Sequence, residues 1–263
     1  MAVDLVTLQE LCALSQRFKP AGRTLMLGRH EWRPNPRFKR GFRTTWRKAG
    51  LEGSYLETVQ DDGFCETLMA SLGFGAMESL DFSDYEGATI LHDLNHPVGE
   101  ALEGQFDFIY DGGTLEHVFN VPVALQSVFR MLKPGGRFVS CNGMNGWMGH
   151  GIYQFNPELV WSFWKRMCGC KVHVCRAIET SPTEQGEYRL DFPDPAITGR
   201  RLRFRGINFP TRRVYLYYEV ERLPESALGD RMLQSDYEVK WSSHNNAGEI
   251  RDVKAKEAED GRD

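Results

Sequence analysis

The stretch Phe106-Asp-Phe-Ile-Tyr-Asp-Gly-Gly-Thr-Leu-Glu-His-Val118 decides the fold class of this chain of 263 residues. Its first half is an apolar run that predicts a buried strand, and this run ends at an acid and two glycines. Apolar residues at helical spacing over 118–132 then predict a helix, which Lys133-Pro-Gly-Gly136 ends. Residues 137–141 predict the next strand. Strand, helix and strand in this order are typical of a βαβ unit in a parallel sheet.

Three polar residues follow the first strand of this unit: Asp111, Glu116 and His117. They belong to the carboxyl end of that strand, and open α/β sheets bind their ligands at this edge. The same stretch therefore predicts a fold and the place of a functional site.

Further apolar runs extend the pattern to seven strands, at residues 23–28, 76–81, 88–93, 106–110, 137–141, 171–178 and 213–220. Helices are predicted at 3–18, 63–72, 118–132 and 156–167. Helices between the first five strands favour a doubly wound arrangement. We expect an α/β, Rossmann-like, seven-stranded and mostly parallel sheet with helices on both faces and an antiparallel edge strand.

Residues 1–223 are expected to form one domain with two insertions, and 224–263 a polar, largely disordered C-terminal tail. The first insertion, 29–62, begins with eight Arg or Lys residues against one acid over 29–48. It is either a solvated amphipathic helix or a basic lid that attracts an anionic substrate. The second insertion, 179–212, is too long for a hairpin loop.

Composition excludes several classes of protein. With 41% hydrophobic residues the chain can bury a sizeable core, and a net charge of −4 makes nucleic-acid binding an unfavoured alternative. No apolar run is long enough to cross a bilayer, and the first residues lack the pattern of a signal peptide, so a cytoplasmic location is expected. Cys168, Cys170 and Cys175 with His173 suggest a zinc site, but buried reduced thiols are favoured, and no metal is predicted.

Four motifs in this order resemble the class I S-adenosylmethionine-dependent methyltransferases, in particular a bacterial branch of methyltransferase-domain proteins. They are Asp81-Phe-Ser-Asp-Tyr-Glu-Gly-Ala88, His92-Asp-Leu-Asn95, Asp111-Gly-Gly-Thr-Leu-Glu-His117 and Gly149-His-Gly-Ile-Tyr-Gln-Phe-Asn-Pro-Glu158. The resemblance covers roughly residues 20–178. One departure concerns the glycine-rich loop after the first strand, of which only Gly28 remains.

The resemblance implies that S-adenosyl-L-methionine is the cofactor. An acid after the second strand would bind the ribose, an acid and an apolar residue after the third would hold the adenine, and Arg29 or His30 could contact the methionine carboxylate. The cofactor-binding residues implied in this way are Gly28, Arg29, His30, Asp81, Phe82, Asp93, Leu94, Asp111 and Gly112.

Two histidines are the catalytic candidates. A hydroxyl acceptor must lose a proton during methyl transfer, and an imidazole is a suitable base near neutral pH. His117 is the first candidate, although in some methyltransferases the Leu-Glu-His histidine only caps a helix. His150 is the alternative base, and Tyr153 could hydrogen-bond the acceptor.

The expected function is S-adenosylmethionine-dependent O-methylation of a small polar acceptor such as a sugar, nucleotide sugar or glycan precursor. The acceptor could be anionic, and a homodimer is left open. The alternative is a catalytically inactive methyltransferase-fold protein with a binding or scaffold role.

Overall fold

The computed structural model describes residues 3–180, 189–198 and 213–244. Its strands are β1 (Thr24–Leu27), β2 (Met77–Asp81), β3 (Ile90–Leu91), β4 (Phe106–Asp111), β5 (Leu132–Asn145), β6 (Lys171–Glu179), β7 (Arg189–Asp191) and β8 (Val214–Glu221). Its helices are α1 (Leu5–Ser15), α2 (Lys39–Lys48), α3 (Glu66–Ser71), α4 (Val121–Met131), α5 (Pro157–Leu159), which continues as a π-helix over Val160–Met167, α6 (Pro195–Thr198) and α7 over 235–244. Short 3-10 turns lie at Pro36–Phe38, Tyr55–Thr58, Glu100–Leu102 and Leu115–His117.

All eight strands form one sheet in the order β3-β2-β1-β4-β5-β8-β6-β7. Strands β1 to β5 pair in parallel, whereas β8 is antiparallel to β5 and β6, and β7 is antiparallel to β6. The predicted α/β, mostly parallel sheet with an antiparallel edge is confirmed, with eight strands rather than seven.

The position of β8 and the presence of β7 were not expected from the sequence. The strand predicted at 213–220 lies inside the sheet, between β5 and β6, and all but the last of its residues are buried, as expected for a strand that is covered on both faces. The antiparallel edge is instead β7, which falls in the predicted loop 179–212. Its three residues, Arg-Leu-Asp, are mostly polar and gave no apolar signal. Within that loop, residues 181–188 and 199–212 lie outside the described residues.

Helices cover both faces of the sheet. On β1, Leu25 and Leu27 pack into the cluster that contains α4 and the π-helix. Met26, between them, packs into the other cluster, with α1, α2 and α3. Alternate residues of this strand therefore point to opposite layers.

The basic segment 29–62 packs on the domain through its aromatic residues. Phe42 and Trp46 of α2 are buried with Trp32 and Tyr55, and the Phe42 and Tyr55 rings stack at 5.4 Å. Most of the basic side chains of α2 are exposed. This arrangement is that of a solvated amphipathic helix, and the lid role stays a prediction.

The structure describes residues 224–244 of the expected C-terminal tail. Helix α7 begins at Ser235, whose N–H and hydroxyl donate to the carboxylate of Glu158 at 2.6 and 3.0 Å. Asp236 is buried and pairs with Lys240 at 2.9 Å. These polar anchors carry no hydrophobic pattern, so composition alone could not reveal them. Residues 245–263 lie outside the described part of the chain.

Across the described residues, no helix combines the length and the apolar character that a membrane span requires.

Candidate functional site

The loop after β4 is built around the buried carboxylate of Asp111. Its Oδ1 accepts from the N–H groups of Gly113 and Thr114 at 3.1 and 2.7 Å, and its Oδ2 accepts from the Ser140 hydroxyl at 3.0 Å. Burial raises the pKa of Asp111 although these hydrogen bonds oppose the shift. The side chain shapes this loop from within, and its predicted contact with a cofactor stays a prediction.

The loop after β1 lies directly against the loop after β4. Gly28 has φ +70°, and a Cβ there would lie 2.5 Å from Oγ1 of Thr114. That hydroxyl donates to the carbonyl of Leu27 at 2.5 Å, and the N–H of Gly112 donates to Nε2 of His30 at 3.1 Å. Only glycine combines this backbone angle with so close a contact.

Arg29 and His30 are engaged within the protein. The Arg29 guanidinium donates to Glu66 at 2.5 Å and to Asp62 at 2.7 Å, and it lies 3.9 Å from the centre of the Phe64 ring. His30 is 2% exposed and packs edge-on against Tyr110. Both side chains hold the loop after β1 in place. Their predicted contact with the methionine carboxylate of the cofactor stays a prediction.

Asp81 and Phe82 form the most accessible part of the predicted cofactor site. Asp81 is half-buried at the end of β2, and the Phe82 ring beside it is 74% exposed. Strand β1 lies between β2 and β4, and its Leu27 pairs with Leu80 on one side and Asp111 on the other. The loops after β2 and β4 therefore begin at the same height of the sheet, two strand spacings or about 10 Å apart. The predicted contacts of Asp81 and Phe82 with the nucleoside of the cofactor stay a prediction.

The predicted adenine residues Asp93 and Leu94 differ in exposure. Asp93 accepts from the N–H and side-chain amide of Asn95 at 2.9 and 2.8 Å, and these hydrogen bonds lower its pKa. Leu94 is only 5% exposed and packs in the hydrophobic core. The structure therefore places Asp93 at a surface turn and Leu94 inside the domain.

Glu116 lies at the centre of a carboxylate–histidine cluster. Its side chain is fully buried, and its Oε2 accepts from the N–H of Gly143 at 2.7 Å. Its Oε1 lies 3.1 Å from Nε2 of His150 and 4.0 Å from Nε2 of His117. The two imidazole rings are 5.1 Å apart and meet edge to face.

The loop after β5 folds back onto Glu116 and so brings His150 to His117. The N–H groups of Ile152 and Tyr153 both donate to the Glu116 carbonyl, at 2.8 and 3.1 Å. Gly151 directly precedes these two residues, and a Cβ there would come 2.9 Å from the same carbonyl oxygen. His117 and His150 therefore lie on one surface, although they are 33 positions apart in the sequence.

The electrostatics of the cluster favour proton exchange near neutral pH. Burial raises the pKa of Glu116 to about 7. Burial and the neighbouring His150 lower the pKa of His117, which increases the neutral fraction of that imidazole. Perturbed groups of this kind cluster at functional sites.

His150 packs against an aromatic ring, and Tyr153 is held by a hydrogen bond to the backbone. The Trp147 ring lies 4.9 Å from His150, and its N–H donates to the carbonyl of Val214 at 3.0 Å. Tyr153 is 37% exposed, and its hydroxyl donates to the carbonyl of Phe119 at 2.9 Å. The hydrogen bond of Tyr153 to an acceptor stays a prediction.

Glu116 is the residue that sequence reasoning under-rated. The Leu-Glu-His motif directed attention to His117, because nothing in the residue pattern shows that a glutamate at this position is buried. One signal was available in the sequence: Glu116 directly precedes the candidate base His117 and follows the carboxyl end of a strand.

The cysteines give no support to the zinc alternative. All six are free and buried. Among the described residues, Glu116, His117 and His150 form the one group of His, Cys or acidic side chains with metal-ligand spacing.

Residues 80–140 match a family model described as a methyltransferase domain. Over this segment the chain is similar to methyltransferase domains. The methyl donor of this class of domain is S-adenosylmethionine. The matched segment runs from the end of β2 into β5, so it includes Asp81, Asp111, Glu116 and His117 and stops before His150.

No curated protein sequence matches the chain. Three solved structures resemble the chain. They are a chain in a complex with the Haloferax volcanii Trm112 methyltransferase activator (12% identity, 82% of this chain and 88% of that one, TM-score 0.43), a protein from a study of thioacetal formation in echinomycin biosynthesis (14%, 83% and 82%, 0.42), and a geranyl diphosphate C-methyltransferase from Streptomyces coelicolor (13%, 82% and 76%, 0.40). At such low identity they assign no acceptor to this domain.

Proposed function

We propose that this protein transfers the methyl group of S-adenosylmethionine to an oxygen of a small polar acceptor. The observation that carries this proposal is the pair of half-exposed imidazoles, His117 and His150, set against the buried carboxylate of Glu116. The pair lies at the same sheet edge as Asp81 and Phe82, where residues suited to a nucleoside are found.

Each group has a defined part in this proposal. Bound S-adenosylmethionine supplies an electrophilic methyl group on its sulfonium sulfur. Asp81 accepts hydrogen bonds from the ribose hydroxyls, and Phe82 offers a ring for the base. One imidazole accepts the acceptor's hydroxyl proton while Glu116 fixes the orientation of His150. Positioning of the two reactants in line supplies most of the acceleration.

The acceptor we favour is a sugar, a nucleotide sugar or a glycan precursor. Its support is the polar surface that His117 presents together with His150, which lies on a loop after β5 that contains Gly146, Gly149 and Gly151. An anionic acceptor is a second choice, supported by the exposed basic face of α2.

A transfer assay tests the proposal. The full chain is incubated with S-adenosylmethionine that carries an isotopic label in its methyl group, and with a panel of free sugars, sugar phosphates and nucleotide sugars. We expect the label to enter one class of acceptor, as a methyl ether that survives base treatment. Label recovered as a base-labile ester, or on carbon or nitrogen, would contradict the O-methylation of a hydroxyl.

A second candidate is a methyltransferase-fold protein that binds a ligand or partner without turnover. The contact of Gly28 with Thr114 favours it, because the loop that should approach the cofactor is packed against the protein itself. Arg29 is likewise held by two acids. Binding of S-adenosylhomocysteine separates the candidates, since the second does not require it.

A further inference from the structure

We propose that Glu116, His117 and His150 together hold a divalent transition-metal ion. Their candidate ligand atoms all lie within 4.8 Å of one another. An ion with bonds of about 2.1 Å to three tetrahedral ligands needs these atoms about 3.4 Å apart. The pair of Glu116 Oε1 and His150 Nε2 is already at 3.1 Å, and Glu116 to His117 is at 4.0 Å. A small rotation of the half-exposed His117 ring would close the set.

The buried oxygen of Glu116 is the second observation that points to a ligand. The side chain is fully buried, and while Oε2 accepts from Gly143, Oε1 receives no hydrogen bond from any described residue. Nε2 of His150 is near, but it is not aligned for a hydrogen bond. A buried carboxylate oxygen without a partner is costly, and a cation between it and the two imidazoles would remove that cost.

The three side chains are positioned by contacts of their own. Glu116 is fixed through the Gly143 N–H, and its carbonyl is bonded to the loop that carries His150. The Trp147 ring packs against the His150 ring. Supporting contacts of this kind hold metal-ligating side chains in place.

The donor set selects the class of ion. Two imidazole nitrogens and one carboxylate oxygen suit zinc, iron(II), cobalt(II) or manganese(II), whereas calcium and magnesium prefer oxygen ligands throughout. Three protein ligands leave at least one position open, as in catalytic rather than structural zinc sites.

The role of the ion in catalysis rests on the proposed function, but its binding does not. At its open coordination position the ion would bind the acceptor hydroxyl and lower the pKa of that hydroxyl, so that the proton leaves to water. The acceptor oxygen then forms the new bond to the methyl carbon, and the electron pair of the broken carbon–sulfur bond returns to sulfur. In this state the two histidines are ligands, and neither has to act as the base.

Metal binding can be measured without cofactor or acceptor. The full chain, without a histidine tag and kept reduced, is stripped with a chelator and dialysed against zinc, and bound zinc is quantified per chain. Cobalt(II) in place of zinc gives ligand-field bands that report a tetrahedral or five-coordinate site. We expect one ion per chain, and at least about a tenfold loss of affinity in His117→Ala, His150→Ala and Glu116→Gln.

His173→Ala is the matched control. His173 also contacts a glutamate, with its Nε2 2.6 Å from Glu221, but it belongs to no three-ligand group among the described residues. We expect the His173→Ala variant to bind metal as well as the unchanged chain does. Absence of stoichiometric metal, or an equal loss in His173→Ala and His150→Ala, would overturn the proposal. Circular dichroism of each variant separates lost ligands from lost folding.

The outcome for the metal and the outcome for methyl transfer are independent. A chain that binds zinc but neither S-adenosylmethionine nor S-adenosylhomocysteine supports the metal site and contradicts the proposed function. A chain that transfers methyl groups equally well after its metal-free state is verified contradicts the catalytic role of the ion, whereas zinc binding and the proposed function would both stand.

Discussion

The Oε1 of Glu116 lies 3.1 Å from Nε2 of His150, although the two residues are carried by different loops. The backbone bonds from Ile152 and Tyr153 to the Glu116 carbonyl hold the loops together. The contact makes Glu116 the residue around which the candidate site is assembled.

Glu116→Gln should lower turnover far more than cofactor affinity. The amide oxygen can still accept from the Gly143 N–H, so the loop is retained, while the charge that orients His150 is lost. We expect a fall in kcat of about 10²-fold or more, with the Kd for S-adenosylmethionine changed by less than about twofold.

Glu158→Gln is the control for that substitution, because Glu158 also accepts hydrogen bonds, from Ser162 and Ser235, but contacts no histidine. Its kcat should be unchanged. Equal turnover in Glu116→Gln and the unchanged chain would remove Glu116 from the mechanism.

Asp81→Ala should weaken the binding of S-adenosylmethionine at least about tenfold, which is about 1.4 kcal/mol. The reason is the loss of the acceptor for two ribose hydroxyls. Asp84→Ala, in the exposed part of the same loop, is the control and should leave the Kd unaltered. If calorimetry gives the same Kd for S-adenosylmethionine in the unchanged chain, Asp81→Ala and Asp84→Ala, the ribose does not lie at the end of β2.

Gly28→Ala should destabilise the fold more than Gly50→Ala does. Both glycines have positive φ, +70° and +67°, so both substitutions carry a backbone cost of about 1–2 kcal/mol. Only at Gly28 would the new methyl group also meet Thr114, at 2.5 Å, whereas nothing lies within 4 Å at Gly50. Thermal unfolding of both variants measures the difference, and equal shifts in Tm would show that the two loops do not touch.

The six thiols should react slowly in the folded protein. All are buried, and burial raises the pKa of Cys12 and Cys65 to about 12. A raised thiol pKa means less thiolate, about 10⁻⁴ of such a group at pH 8. A thiol reagent should therefore label six cysteines per chain only after denaturation, and fast labelling of any of them at pH 8 without denaturant would show a local opening.

The parallel half of the sheet could be predicted because its strands are buried on both faces. Continuous apolar runs such as Phe106–Asp111 then stand out between glycines and helices. Strand β7 was not predicted, because its residues are mostly polar. The position of β8 in the sheet could not be inferred, because strand order depends on contacts between distant parts of the chain. Helix α7 depends on the bonds of Ser235 to Glu158, which composition does not reveal.

The sequence alone could place the candidate site at the carboxyl end of β4, but not the contacts among its members. His117 and His150 were expected as alternative bases, and the structure brings their rings within 5.1 Å of each other, while their catalytic role stays a prediction. The burial of Glu116 and the packing of Gly28 on Thr114 depend on contacts between separate loops, which a residue pattern cannot show.

Calorimetric titration of the full chain with S-adenosylhomocysteine tests the central claim most directly, because a functional methyltransferase domain must bind its product. The account predicts one site per chain, weakened at least about tenfold by Asp81→Ala and unaffected by Asp84→Ala. An absence of binding, confirmed with S-adenosylmethionine and by a ligand-induced shift in Tm, would contradict it and leave a methyltransferase fold without methyl transfer.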